Sequence, residues 1–99
     1  MPELAPPRLA EVYPALVDYL ETALMDLGEH SLVDVVRALP YLGWCDCSSR
    51  CRYLRTGAMD AADSAWVHIE DDDEPRVWLQ LDRSHTTVVG MEILEFDLG

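Results

Sequence analysis

The chain has 99 residues, 49% of them apolar, with 19 acidic and seven basic side chains and a net charge of −12. That length predicts one domain, residues 1–99, around a single core. The charge repels phosphate backbones and anionic lipid, so nucleic-acid and membrane partners are not expected, and no apolar run approaches the ~20 residues of a membrane span.

All seven bases are arginine; lysine and asparagine are absent. The N-terminus carries no basic region followed by an apolar run, so no secretory signal is expected. The expectation is a cytoplasmic protein whose thiols stay reduced.

Residues 1–8, with Pro2, Pro6 and Pro7, read as an extended leader. Leu16, Val17, Leu20, Ala23, Leu24 and Leu27 then fall at helical spacing and make one apolar stripe, with Asp18, Glu21, Thr22 and Asp26 opposite. Pro14 suits the first turn, where its missing N–H costs nothing, and Gly28 suits the C′ position. Ser31 is the N-cap candidate of a second helix carrying Leu32, Val35, Val36 and Leu39, which Pro40 should end.

After the cysteine segment the period becomes two. Cys51, Tyr53 and Arg55 alternate with Arg52, Leu54 and Thr56, and Gly57 ends the run. "AMDAADS" reads as a loop or a short turn of helix. Ala65, Val67 and Ile69 then alternate with Trp66, His68 and Glu70 before the acidic turn "EDDDEP". Val77, Leu79 and Leu81 alternate with Trp78 and Gln80. The turn "DRSH" leads to a last strand in which Val89, Met91 and Ile93 alternate with Gly90, Glu92 and Leu94. Turn-separated alternation predicts hairpins. The whole predicts an α+β domain: two N-terminal helices packed on a three- or four-stranded, mostly antiparallel sheet. The expected core is Leu16, Leu20, Leu24, Val36, Leu39, Val67, Ile69, Leu79, Leu81, Met91 and Ile93.

Three groups of residues are candidates for chemistry. The first is "GWCDCSSRC", which holds Cys45, Cys47 and Cys51. Zinc takes four ligands in a tetrahedron. A Cys-x-Cys-x3-Cys run that curls into a turn supplies three, leaving His30, His68 or His85 as the fourth, with Asp46 a poorer choice. The competing reading is three small buried side chains at a helix–strand junction. A redox role for Cys51 beside Arg50 and Arg52 is opposed by the acidic surroundings, which raise thiol pKa values.

The second group is Glu70, Asp71, Asp72, Asp73 and Glu74. Contiguous carboxylates followed by Pro75 do not match a calcium loop. They read as a solvated hairpin tip or as a contact for a basic protein partner. The third is the sheet face carrying Trp66, His68 and Trp78, which Leu94 and Phe96 can join opposite Ile93. Helices can cover only the other face, so these rings predict a dimer interface, a binding groove, or a surface covered by residues 1–13 or 57–64.

Catalytic machinery finds no support, and no catalytic residue is assigned. There is one glutamine, no lysine, no glycine-rich phosphate loop and no nucleophile elbow.

The segment "VVRALPYLGWCDCSSRCRYLRT" resembles one in small uncharacterised bacterial proteins with a C-x-C-x(3–4)-C run leading into a strand. "TVVGMEILEF" is similar to the "IVGIEIL"-like last strand of small bacterial domains of unknown function. The likenesses cover about residues 32–56 and 86–96 and carry no activity. Ser48 stands where those proteins often have glycine. The leading expectation is thus a small acidic interaction or accessory protein. The alternatives are a small zinc-binding protein and a thiol-based redox enzyme.

Overall fold

The computed structural model describes residues 5–44, 52–57, 62–96 and 98. Its elements are α1 (Leu9–Val12), α2 (Pro14–Asp26), α3 (His30–Ala38), β1 (Tyr53–Arg55), β2 (Ala62–Asp71), β3 (Glu74–Asp82) and β4 (Val88–Ile93). The strands form one antiparallel sheet in the order β1-β4-β3-β2. The helices come first in the chain and the sheet follows, so the fold is α+β. Among the described residues no helix is long and apolar enough to cross a membrane.

Helix α2 follows its sequence signals. Pro14 occupies the first turn, and Leu16, Val17, Leu20 and Leu24 are buried on one face. Gly28 takes a left-handed φ of 78°. Its amide donates to the Met25 carbonyl (3.1 Å) and that of Glu29 to the Leu24 carbonyl (2.9 Å). This is a Schellman closure, which satisfies the last carbonyls of the helix with backbone alone. The chain leaves that turn directly into α3, which starts at His30, so Ser31 lies inside the first turn and is not the cap. Leu39 is extended ahead of Pro40, as the ring of a following proline demands.

Two further corrections concern the chain ends of the elements. A short α1 precedes α2, and Leu9 is fully buried. Its amide donates to the Leu39 carbonyl (2.8 Å), and the Tyr41 amide to the Pro7 carbonyl (2.7 Å), so the end of the expected leader is tied to the exit of α3. Strand β2 begins at Ala62, inside the stretch read from sequence as a loop.

The expected core is buried except for Val67, which is only partly so on strand β2 at the sheet margin. Leu9, Val17, Leu32, Val33, Leu54, Val77 and Val88 complete it. Each such side chain contributes about 1.5–3 kcal/mol by leaving water. A register shift between Gln80 and Leu81 lets both Val88 and Val89 be buried on β4. Thr56, 2% exposed, satisfies its hydroxyl by donating to the Val88 carbonyl at 2.8 Å.

The two margins of the sheet differ. Beyond β1, the Leu42 amide donates to the Arg55 carbonyl (3.0 Å) and the Arg55 amide to the Gly43 carbonyl (2.8 Å), and Trp44 bridges to Leu54. Beyond β2, no described residue pairs.

Candidate binding face and acidic hairpin

The register assembles the outer face of the sheet in two rows. His68, Trp78, Glu92 and Tyr53 lie side by side across β2, β3, β4 and β1; Trp66, Gln80, Gly90 and Arg55 form the next row. Their in-line neighbours Ile69, Val77, Leu79, Met91, Ile93 and Leu54 are buried against the helices. Trp66 and Trp78 therefore share one face, as alternation along each strand predicts.

The aromatic groups on this face touch. The His68 and Trp78 rings stack at 4.6 Å with 31° between planes, and Tyr53 meets Trp66 edge-on at 6.4 Å. Tyr53 reaches across β4 to donate its hydroxyl proton to Gln80 Oε1 at 2.7 Å. Gly90 makes that crossing feasible: a Cβ there would overlap the Tyr53 hydroxyl and ring. Glycine inside a strand thus marks a close approach. The Trp78 indole N–H is enclosed and has no hydrogen-bond acceptor among the described residues. Residues 5–13 pack on the helical side, through Arg8 with Pro40 and Tyr13 with Tyr41 and Trp44, so these residues do not cover the tryptophan face.

The acidic run is the β2–β3 hairpin tip. Asp71 pairs with Glu74 around a two-residue loop in which Asp72 and Asp73 have φ of 52° and 63°. Two left-handed residues give the primed turn that matches strand twist, and aspartate tolerates that region better than most side chains. Glu70 to Glu74 are all exposed. Glu74 has one ion pair, to Arg76 Nη2 at 3.4 Å. Exposed, it holds the turn little.

The candidate zinc ligands Cys45, Cys47 and Cys51 lie outside the described residues, as does Asp46. The three histidines sit on three different elements. His30 opens α3 with Nδ1 3.3 Å from Met25 Sδ, His68 is on β2 against Trp78, and His85 is in the β3–β4 turn at φ 57°. Among the described residues no group of three or more histidine, cysteine, aspartate or glutamate side chains converges.

Asp82 organises that β3–β4 turn. Its carboxylate accepts from Ser84 Oγ (2.6 Å) and from the amides of Thr86 (2.9 Å) and Thr87 (3.1 Å). The Ser84 hydroxyl first, and then these amides, hold its pKa down at about 2 against the opposing effect of desolvation.

Sequence reasoning found Trp66, His68 and Trp78 but missed Tyr53, Gln80, Gly90 and Glu92 as members of the same surface, and it placed Phe96 there, whose ring packs instead on Tyr19 of α2 at 4.9 Å. Gly90 inside an alternating strand was the available signal.

Fold and surface together define a small α+β domain with helices on one side of an antiparallel sheet and an aromatic–polar array on the other. No known protein family, curated protein or solved structure matches the chain.

Proposed function

We propose that this chain is a small acidic interaction protein that binds a basic segment of a partner protein. The observation that carries this reading is the continuity of two surfaces. Trp66, His68 and Trp78 stand on the same hairpin that ends in Glu70, Asp71, Asp72, Asp73 and Glu74, and Tyr53 of β1 joins them through its edge contact with Trp66. Aromatic faces attract guanidinium and ammonium groups by about 0.5–2 kcal/mol each, and carboxylates hold the same groups through charge-assisted hydrogen bonds. A field of −12 steers a cationic partner in and slows the approach of anionic ones.

The test is a fluorescence titration of the purified protein with a nona-arginine peptide. The expected result is saturable binding that weakens steeply between about 0.05 and 0.3 M salt, as screening shortens the field. Trp66→Ala and Trp78→Ala should each weaken it. Salt-independent binding, or none, would refute the reading.

A further inference from the structure

We infer that the basic partner is taken up as an added β-strand along the open margin of β2, with one arginine or lysine side chain seated in the cavity between β2 and α2. This rests on the reading of a basic partner and names how it is held. Three observations on different parts of the molecule carry it.

The first is the asymmetry of the sheet margins. The β1 side is occupied by residues 42–44, whereas ten-residue β2 has no described partner beyond its pairing with β3. An unpaired strand offers a row of N–H and C=O groups ready for another chain. The stretch Ala65 to Ile69 carries no proline and no charged side chain, and it lies between two register shifts, at Ala62/Trp66 and at Ile69/Glu70. It is thus a short regular margin between irregular ends.

The second is a cavity of about 310 Å3 on the helix side of this margin. Its walls include Ala23, Asp26 and Leu27 from α2 and its cap, and Ile69, Glu70 and Asp71 from β2; no other strand contributes. A strand laid against β2 points alternate side chains to this side. The size is at the lower bound of ligand pockets, about 300 Å3. The apolar surface of Ala23, Leu27 and Ile69 suits an aliphatic stem, and Asp26, Glu70 and Asp71 suit a cationic head. Leu27 at this site is 53% exposed, and the adjoining Met25 is 52% exposed.

The third is unspent charge. Among the described residues Asp26, Glu70 and Asp71 make no ion pair. The last turn of α2 holds no basic residue, although its carbonyl end is the negative pole of the helix. Asp26 there adds to a like partial charge, and a cation in the cavity relieves both. Strand addition of this kind takes affinity from main-chain bonds and specificity from pockets for alternate side chains.

The experiment uses the full chain and two nine-residue peptides, one alternating arginine with valine, the other identical but with proline for a central valine. Affinity is read by tryptophan fluorescence and pairing by amide hydrogen exchange. The expected result is at least tenfold tighter binding of the uninterrupted peptide, with every second amide from Ala65 to Ile69 protected. Leu27→Arg, at an exposed position, should fill and discharge the cavity and cost at least a further tenfold. Equal binding of the two peptides, without protection of β2, would overturn strand addition and leave the basic-partner reading standing. Binding of neither peptide would overturn both. A dimer that protects the same amides without peptide would assign the margin to a second copy and overturn the inference.

Discussion

Replacing Gly90 with alanine tests the construction of the aromatic face. The backbone accepts alanine, because Gly90 is not among the glycines with positive φ. The obstacle is Tyr53, whose hydroxyl, Cζ and Cε1 are the atoms closest to the new methyl. The ring must move, and two contacts go with it. The hydrogen bond to Gln80 is worth about 0.5–1.5 kcal/mol. The edge contact with Trp66 is worth about 0.5–1.5 kcal/mol. Against this, alanine within a strand is favoured over glycine by about 0.5–1 kcal/mol. The net expectation is a loss of about 0.5–2 kcal/mol in urea unfolding, or roughly 3–12 °C in Tm for a domain of this size.

A double-mutant cycle isolates the cause. With Tyr53→Ala already in place there is no ring to displace. Gly90→Ala should then be neutral or stabilising, by up to about 1 kcal/mol. The same loss in both backgrounds would refute the argument that Gly90 exists to let Tyr53 cross β4. A Gly90→Ala variant with unchanged stability in the native background would do so as well.

Four other measurements reach different parts of the fold. Thermal stability should rise between low salt and about 0.3 M, where the Debye length is about 5–6 Å and the self-repulsion of the −12 charge is screened. The exposed Arg37 pairs with Glu21 and Asp34 weaken over the same range but contribute too little to reverse the sign; an unchanged Tm would sink this. Asp82 has its pKa lowered on folding, so its contribution is complete above the unfolded value near 3.8 and is lost as pH falls through about 2. Carboxyl NMR should show Asp82 still charged at pH 3, and protonation near pH 4 would contradict the turn geometry. Thr56→Val should cost about 1 kcal/mol by stripping the Val88 carbonyl of its buried hydroxyl donor, whereas Thr56→Ser should retain the bond. A zinc site on Cys45, Cys47 and Cys51 requires one metal per chain that is lost with Cys47→Ser, and folded, metal-free protein removes it.

What was legible in the sequence was periodicity and punctuation. Alternation in β2, β3 and β4 assigned Ile69, Leu79, Met91 and Ile93 to the core and the two tryptophans to the other face, because side chains in a strand have a period of two. Pro14 and Gly28 bounded α2. What was not legible depends on partners distant in the chain. α3 begins at His30 because backbone groups close the preceding helix, and no side chain announces that start. α1 has four residues, too few for a helical period to show. The start of β2 is written in alanine, aspartate and serine, residues of low strand preference, and is paired through Ala62 with Asp82. The crossing of Tyr53 over Gly90 to Gln80 needs the register of three strands at once.

The same physics links the charge of the chain to the margin of β2, which no described residue pairs. A long unpaired strand is a hazard, because identical copies pair with it as readily as any partner. Natural sheets blunt such edges with bulges and charge, and β2 has both: register shifts flank Ala65 to Ile69, and five carboxylates follow. When two copies approach, each brings −12, and long-range repulsion opposes the encounter. A cationic strand meets attraction along the same path. On the proposed strand addition, negative charge would act as a filter on an edge that backbone hydrogen bonding alone would leave unselective. Neutralising Glu70, Asp71, Asp72 and Asp73 together to their amides should remove the filter. It should promote self-association, read by sedimentation at rising protein concentration, and weaken arginine-peptide binding. A variant that stays monomeric at every concentration would show that the register shifts alone protect the margin.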